Sequence, residues 1–209
     1  PTPTGRPWPR CSVMPPEEVI HRFWSWFESS SDQIAQAYDD GDSAWLFAEV
    51  SPRVSRLADH LSWEFGPYNH PDRTFVLSPV VRENLRITRA VVAKAPNMSG
   101  WHFLDAKPPK DLKGLTFCLG EQTVRADDWQ YQLVSYNQGE FVDIVLLFDD
   151  PIANESIFCE LVVESLLGEE RRLESVGYIS ASDSDADLEP ASLTPIRYLN
   201  EHLDLVLGQ

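Results

Sequence analysis

Hydrophobic residues near the start of the chain recur with the spacing of α-helices. Residues 17–38 place their apolar side chains on one helical face, which predicts a first helix. A second helical pattern covers residues 43–61, with Ser43 as its predicted N-cap and Pro52 as a predicted kink or break. The short polar turn at 40–42 predicts that the two helices form an antiparallel pair.

The hydrophobic period changes after this pair. Runs typical of strands occupy residues 63–68 and 74–80, a helical pattern covers 83–95, and a third strand is predicted at 101–106. Residues 107–114 (KPPKDLKG) have the proline and lysine content of a linker. The predicted order of this part is therefore strand, strand, helix, strand.

The same order recurs in the second half, after two short predicted strands at 115–120 and 122–126. Its strands and helix are predicted at 129–136, 141–148, 154–167 and 176–181. A last helix, capped by Thr194, is predicted to end at Leu207. The fold class is thus α+β: an N-terminal helical pair, two ββαβ units forming antiparallel or mixed sheet, and a C-terminal helix.

We expect residues 14–209 to form a single domain made of two parts, 14–106 and 115–209, joined by the linker. The repeated ββαβ order suggests a duplication, while an ordinary α+β order without common ancestry explains it equally well. Residues 1–13 hold four prolines, two arginines and no acid. They are predicted to be a disordered extension, a cloning remnant or a floppy proline-rich arm, and to add little to the fold.

The charge balance limits the kinds of partner. The chain has 17 Lys and Arg against 33 Asp and Glu, a formal net charge of −16 at pH 7. A phosphate-binding face needs clustered basic residues, so direct binding of nucleic acid is not expected. The same balance disfavours an anionic membrane surface, and no apolar run is long enough to span a bilayer. A basic protein partner is permitted.

Residues that often carry chemistry are scattered along the chain. Cys11, Cys118 and Cys159 form no CxxC pair, and Cys118 and Cys159 lie in apolar runs that predict buried thiols. No two histidines have the close spacing of metal ligands, and phosphate-loop, dinucleotide and nucleophile-elbow motifs are absent from the sequence. We therefore predict no catalytic residue, no bound metal and no organic cofactor.

One acidic run invites a calcium interpretation. Asp183, Asp185 and Asp187 have DxDxD spacing, but an EF-type loop needs glycine at its sixth position and glutamate at its twelfth. Those positions hold Leu188 and Thr194. The run is predicted to be a solvated acidic loop and a candidate contact for a basic partner.

The first predicted helix carries more aromatic residues than one face needs. Phe23, Trp24 and Phe27 share a face and are predicted to lie in the core, whereas Trp26 points away from them. Trp26 is either covered by another element or a binding anchor, because an exposed tryptophan is a frequent interface residue. We take it as a candidate partner-binding residue.

Several segments together resemble a group of uncharacterised bacterial proteins. Those proteins open with an FW-x-WF helix and later carry a helix ending in LLGE before an IG-x-I strand. The matching segments are FWSWF at 23–27, LSWEFGP at 61–67, AP-x3-GWHF at 95–103, DDWQYQL at 127–133, the apolar strand at 141–148, ESLLGE at 164–169 and VGYI at 176–179. The resemblance covers residues 17–181, implies a shared fold and brings no established catalytic residues.

Three functions are compatible with these features. The first is a non-enzymatic, acidic interaction protein that docks a basic partner, as immunity proteins and small regulators do. The second is a small-molecule binding module with a pocket between the helical pair and the sheet. The third is a hydrolase whose site is assembled from distant residues. The charge and the missing motifs favour the first, and the absence of a secretory signal in residues 1–13 predicts a cytoplasmic protein.

Overall fold

A computed structural model describes residues 13–68, 70–111, 113–136, 141–149, 151–182 and 193–208. Over these residues the fold is α+β, with an N-terminal helical pair, three sheets and a C-terminal helix, which confirms the predicted class. No helix within the described ranges has both the length and the apolar content needed to cross a membrane. The chain divides into two compact units, one ending at Ala106 and the other beginning at Lys107.

The first unit opens with the predicted helical pair, α1 (Glu17–Asp39) and α2 (Ser43–Val54). The cap of α2 is Asp42 instead of Ser43, because the Asp42 carboxylate accepts the Trp45 backbone N–H at 3.0 Å. The predicted end of this helix at residue 61 is wrong. Pro52 lies in its last turn, the helix ends at Val54, and the N–H groups of Arg56 and Leu57 then donate to the carbonyls three residues before them.

A three-stranded sheet and a short helix complete the first unit. They are β1 (Ser62–Gly66), β2 (Arg73–Ser78), α3 (Leu85–Val92, preceded by a 3-10 turn at Arg82–Asn84) and β3 (Trp101–Leu104). β1 pairs with β2 in antiparallel fashion and β2 pairs with β3 in parallel, so α3 is the crossover between two parallel strands.

An aromatic core joins the helices of this unit to its sheet. Phe27 on α1 is fully buried against the rings of Phe75, Trp101 and Phe103, at centroid distances of 5.0 to 5.3 Å. The Trp24 indole N–H donates to the Val91 carbonyl at 2.8 Å, which ties α1 to α3. Phe23, Trp24 and Phe27 are therefore core residues, as the helical spacing predicts.

The second unit repeats the ββαβ order. Its elements are the hairpin of β4 (Phe117–Leu119) and β5 (Gln122–Val124), then β6 (Gln130–Tyr136), β7 (Phe141–Leu147), α4 (Glu155–Leu167), α5 (Glu169–Ser175), β8 (Val176–Ala181), β9 (Thr194–Pro195) and α6 (Leu199–Leu207). The larger sheet has the order β8-β7-β6-β9. β6 and β7 are antiparallel and β7 and β8 are parallel, so both units share one strand topology. Common ancestry stays a hypothesis.

Two local predictions in the second unit are wrong, and one element was not predicted. Thr194 does not cap a helix, because Thr194 and Pro195 pair with β6, and α6 begins only after a 3-10 turn at Ile196–Tyr198. The short helix α5 is an additional element, since the chain re-enters a helix directly after Gly168. Cys118 is exposed, because side chains alternate along β4 and Phe117 takes the inward position, whereas Cys159 is buried as predicted.

The segment from Lys107 to Lys110 is held against the junction of α4 and α5. The Lys107 backbone N–H donates to the Glu169 carboxylate at 3.2 Å, and the Glu169 N–H donates to the Lys107 carbonyl at 2.8 Å. The Lys110 N–H donates to the Ser165 carbonyl at 2.6 Å. Glu169 is only 1% exposed, so this reciprocal pairing meets the hydrogen-bonding need of a buried carboxylate.

Candidate functional site

Trp26, the aromatic residue singled out by the sequence, is half-buried on α1. Its ring centroid lies 5.9 Å from that of Phe23 and 6.0 Å from that of Phe27, so one side of the indole rests on the core. The guanidinium carbon of Arg53, on α2, lies 4.3 Å from the ring centroid. Trp26 is thus both packed against the core and reachable from solvent, and its ring is stacked with a cation.

A groove of about 480 Å³ opens beside this tryptophan. Its lining residues are Val19, Arg22, Phe23, Trp26, Arg53 and Arg56. All of them belong to α1, α2 or the turn that follows α2, and the sheet contributes none. We call this feature the Trp26 groove. It is a site of the helical pair alone, whereas the sequence-based alternative expected a pocket between the helices and the sheet.

Three arginines give the Trp26 groove a positive charge in an otherwise acidic chain. Arg53 is neutralised by Glu49, whose Oε2 lies 3.0 Å from its Nη1. Arg22 donates from Nε to the Glu18 carbonyl at 3.3 Å, and its side chain is otherwise exposed. Within the described part of the chain, neither Arg22 nor Arg56 pairs with a carboxylate. Two guanidinium groups are therefore available to an anion, which they can bind with two parallel hydrogen bonds.

The other candidate residues are not among those that the structure describes. Asp183, Asp185 and Asp187 fall outside the described residues, as do residues 1–12 and 137–140. The arginines around Trp26 were not selected from the sequence. Arg22 was visible as a neighbour one helical turn before Trp26, but Arg53 and Arg56 reach the site only through the rotation of α2 against α1.

A second groove, of about 490 Å³, lies in the second unit beside β5 and the end of β7. Trp129 stacks on Phe148 at 4.5 Å but is itself only 5% exposed. The charged residues on its wall are mixed in sign, and the one arginine among them, Arg125, is paired with Asp127 at 2.9 Å. This groove offers a ligand no accessible tryptophan and no unpaired cation, and its remaining charged lining residues are the carboxylates of Asp128 and Asp149.

Two histidines that are distant in sequence meet in the first unit. The rings of His70 and His102 are stacked at 4.2 Å, and His70 Nδ1 accepts the Asp72 backbone N–H at 3.1 Å. Burial and, secondarily, the neighbouring His70 hold the pKa of His102 below its ordinary value. Among the described residues, no three His, Cys, Asp or Glu side chains converge as metal ligands would.

This pair predicts a pH dependence of stability. The pKa of His102 in the folded protein lies below 6.5, its ordinary value, so the unfolded chain takes up the proton first as the pH falls. We expect the contribution of His102 to the free energy of unfolding to decrease as the pH drops below about 6.5 and to level off below its folded pKa. Denaturant unfolding followed across this range should show a weaker dependence for His102→Gln. The control His21→Gln, on the exposed face of α1, should behave as the unmodified protein. Equal pH profiles for all three would contradict the assignment.

Comparison of the chain with protein-family models, curated proteins and solved structures finds no match. The resemblance to the bacterial group with the FW-x-WF helix stays a prediction. The case for a function depends on the chemistry of the described residues, and the Trp26 groove is the strongest candidate because it combines an accessible tryptophan with unpaired cations.

Proposed function

We propose that this protein is a non-enzymatic interaction module and that the Trp26 groove is a binding surface. The observation that carries the proposal is a half-buried indole stacked under Arg53, beside Arg22 and Arg56, which have no carboxylate partner among the described residues. Tryptophan and arginine are the side chains that most often dominate binding energy at protein interfaces. Their position on two packed helices gives the surface a fixed shape before any partner arrives.

The polar side chains in the cores support a binding role over a catalytic one. Burial raises the pKa of the Cys159 thiol to about 12, with Glu155 and Glu160 adding to the shift, so this thiol stays protonated and a poor nucleophile. Tyr131 is fully buried, and burial raises the pKa of its phenol well above the ordinary value. Its hydroxyl lies 3.0 Å from Nδ1 of His202, so the two polar groups satisfy each other's hydrogen bonding.

The net charge of −16 supports a second surface, acidic and directed at a basic protein. Asp183, Asp185 and Asp187 are its proposed contacts, in an immunity-like or regulator-like protein of the cytoplasm.

Small-molecule binding is the alternative for the Trp26 groove itself, because a volume of about 480 Å³ lies within the usual range of ligand sites. The two possibilities differ in whether a macromolecule or a small ligand is retained.

A retention experiment tests the proposal. The full chain is immobilised and incubated with lysate of its native cell, at low salt and again at high salt. We expect a specific protein to be retained by the unmodified chain and lost with Trp26→Ala and with Arg56→Ala. Arg56 is exposed and unpaired with any described carboxylate, so its replacement should leave the fold intact.

The matched control is Tyr178→Ala, which removes an exposed aromatic residue from the second unit and should leave retention unchanged. High salt should release the partner, because exposed charges are screened. Identical retention by the unmodified chain and by its three variants would refute a role for the Trp26 groove.

A further inference from the structure

We infer that the Trp26 groove binds an acidic amphipathic peptide segment of a partner protein, with apolar side chains against α1 and carboxylates on the arginines. This inference rests on the proposed function and names the chemistry of the partner. Three observations support it: the helical spacing of the apolar lining residues, the presence of arginines from both helices at the groove, and the position of the Arg53 guanidinium over the Trp26 ring.

The apolar part of the groove has helical spacing. Val19, Phe23 and Trp26 stand at positions i, i+4 and i+7 of α1, a strip about 10 Å long at 1.5 Å per residue. Phe23 is buried and forms the floor, while Val19 and Trp26 are half-buried. A strip of two turns matches the anchor spacing by which grooves recognise amphipathic segments. It is long enough to receive two apolar side chains from successive turns of a peptide.

The charged part of the groove specifies an acidic segment. Arg22 comes from α1, and Arg53 and Arg56 come from α2 and the turn after it, so both helices present cations. Glu49 compensates Arg53, while Arg22 and Arg56 have no carboxylate partner within the described residues. A peptide whose carboxylates reach these two groups gains charge-assisted hydrogen bonds, whereas a basic peptide would be repelled.

A nucleotide or a free phosphate fits this groove less well. Arg53 lies over the Trp26 ring, so a base that stacked on that face would first have to displace a cation–π contact. A phosphate group could bind the arginines but would leave the Val19–Trp26 strip without an apolar partner. The apolar strip and the cations are used together only by a ligand that carries both apolar and acidic groups.

The test uses a synthetic, fluorescently labelled peptide in which Leu pairs spaced i, i+4 alternate with Glu. Two matched peptides replace either the Glu residues with Gln or the Leu residues with Ser. We expect fluorescence anisotropy to show saturable binding of the Leu/Glu peptide to the full chain. Affinity should fall at least about tenfold for each matched peptide and for Trp26→Ala, in the range expected when interface anchors are truncated.

Charge reversal separates the local groove from the overall charge. The double variant Arg22→Glu/Arg56→Glu should lose at least about tenfold in affinity. The control Lys113→Glu/Arg197→Glu makes the same change in net charge with exposed residues of the second unit and should change affinity by less than about twofold. Equal losses in the two double variants would overturn the inference, because the effect would then be a property of net charge.

The remaining outcomes distinguish this inference from the proposed function. If the glutamine peptide binds as tightly as the glutamate peptide, or if ATP displaces the peptide and depends on the same arginines, an acidic peptide is not the specific ligand. If a lysate protein is retained through Trp26 while the Leu/Glu peptide does not bind, the inference fails and the proposed function stands. If Trp26→Ala changes neither retention nor peptide binding, both fail.

Discussion

Replacing Phe27 with alanine is expected to lower the free energy of unfolding of the first unit by about 3–5 kcal/mol. Phe27 is 0% exposed and lies at the centre of the aromatic core. Its ring contacts those of Phe23, Trp24, Trp26, Phe75, Trp101 and Phe103. Truncation removes the transfer energy of the ring and leaves a cavity that six surrounding aromatic side chains, locked against one another, cannot fully collapse.

Chemical denaturation followed by tryptophan fluorescence measures this loss. The matched control is Phe47→Ala on α2, where the same residue type is 68% exposed and the change should cost less than about 0.5 kcal/mol. Similar losses for the two variants would mean that Phe27 is not the centre of this core. Because Phe27 supports the Trp26 ring, we also expect Phe27→Ala to weaken binding at the Trp26 groove, even though the residue does not line it.

The elements that could be predicted from the sequence are those with a strong local signal. The apolar residues of α1 and α4 recur with helical spacing, which is the spacing that burial of one helix face needs. The nearly continuous apolar run of β7 is typical of an inner strand. The errors lie where two local signals compete. Thr194 and Pro195 have the chemistry of a helix start, yet pairing with β6 takes them into a strand, an interaction with residues more than 60 positions away.

The candidate site was only partly predictable for the same reason. The helical spacing shows that Trp26 leaves the face shared by Phe23 and Phe27, but not that it rests on both rings and is capped by Arg53. The charge of the groove depends on which side of α2 faces α1. That rotation is set by the burial of Leu46, Val50 and Val54, and it brings Arg53 to Trp26 as a consequence. A net charge of −16 gives no sign of such a local reversal.

The core and the proposed binding surface share side chains of α1. Phe23 belongs both to the core and to the floor of the Trp26 groove, and Trp26 stacks on the core from the other side. A rigid core keeps the indole and the Arg53 guanidinium in place, which lowers the entropy that a partner must remove on binding. We expect stability and affinity to change together at Phe27, whereas replacing Arg22 or Arg56 should change affinity and leave stability as it is.

Replacing Gly168 with alanine is expected to destabilise the second unit by about 3 kcal/mol. Gly168 connects α4 to α5 with φ +78° and ψ 154°, a backbone conformation that is essentially restricted to glycine. An added Cβ would lie 2.9 Å from Pro109 Cδ and 3.2 Å from the Lys107 carbonyl oxygen. The substitution must therefore either strain the backbone or push away the segment that holds Glu169.

Gly120→Ala is the control that separates backbone strain from this contact. Gly120 also has a positive φ, +61°, but a Cβ there meets nothing within 4 Å, so the cost should be only about 1 kcal/mol. Hydrogen exchange gives the local readout, because the amides of Lys110 and Glu169 donate to Ser165 and Lys107 across the junction. In Gly168→Ala, we expect both amides to exchange faster than the loss of global stability alone explains. In Gly120→Ala, we expect them to stay protected from exchange, as in the unmodified protein. The result that would contradict this prediction is an equal loss of unfolding free energy for the two substitutions, with unchanged hydrogen exchange at the Lys110 amide. The close approach of Pro109 would then not constrain this turn. The buried Glu169 carboxylate would be held by α5 without the Lys107–Lys110 segment.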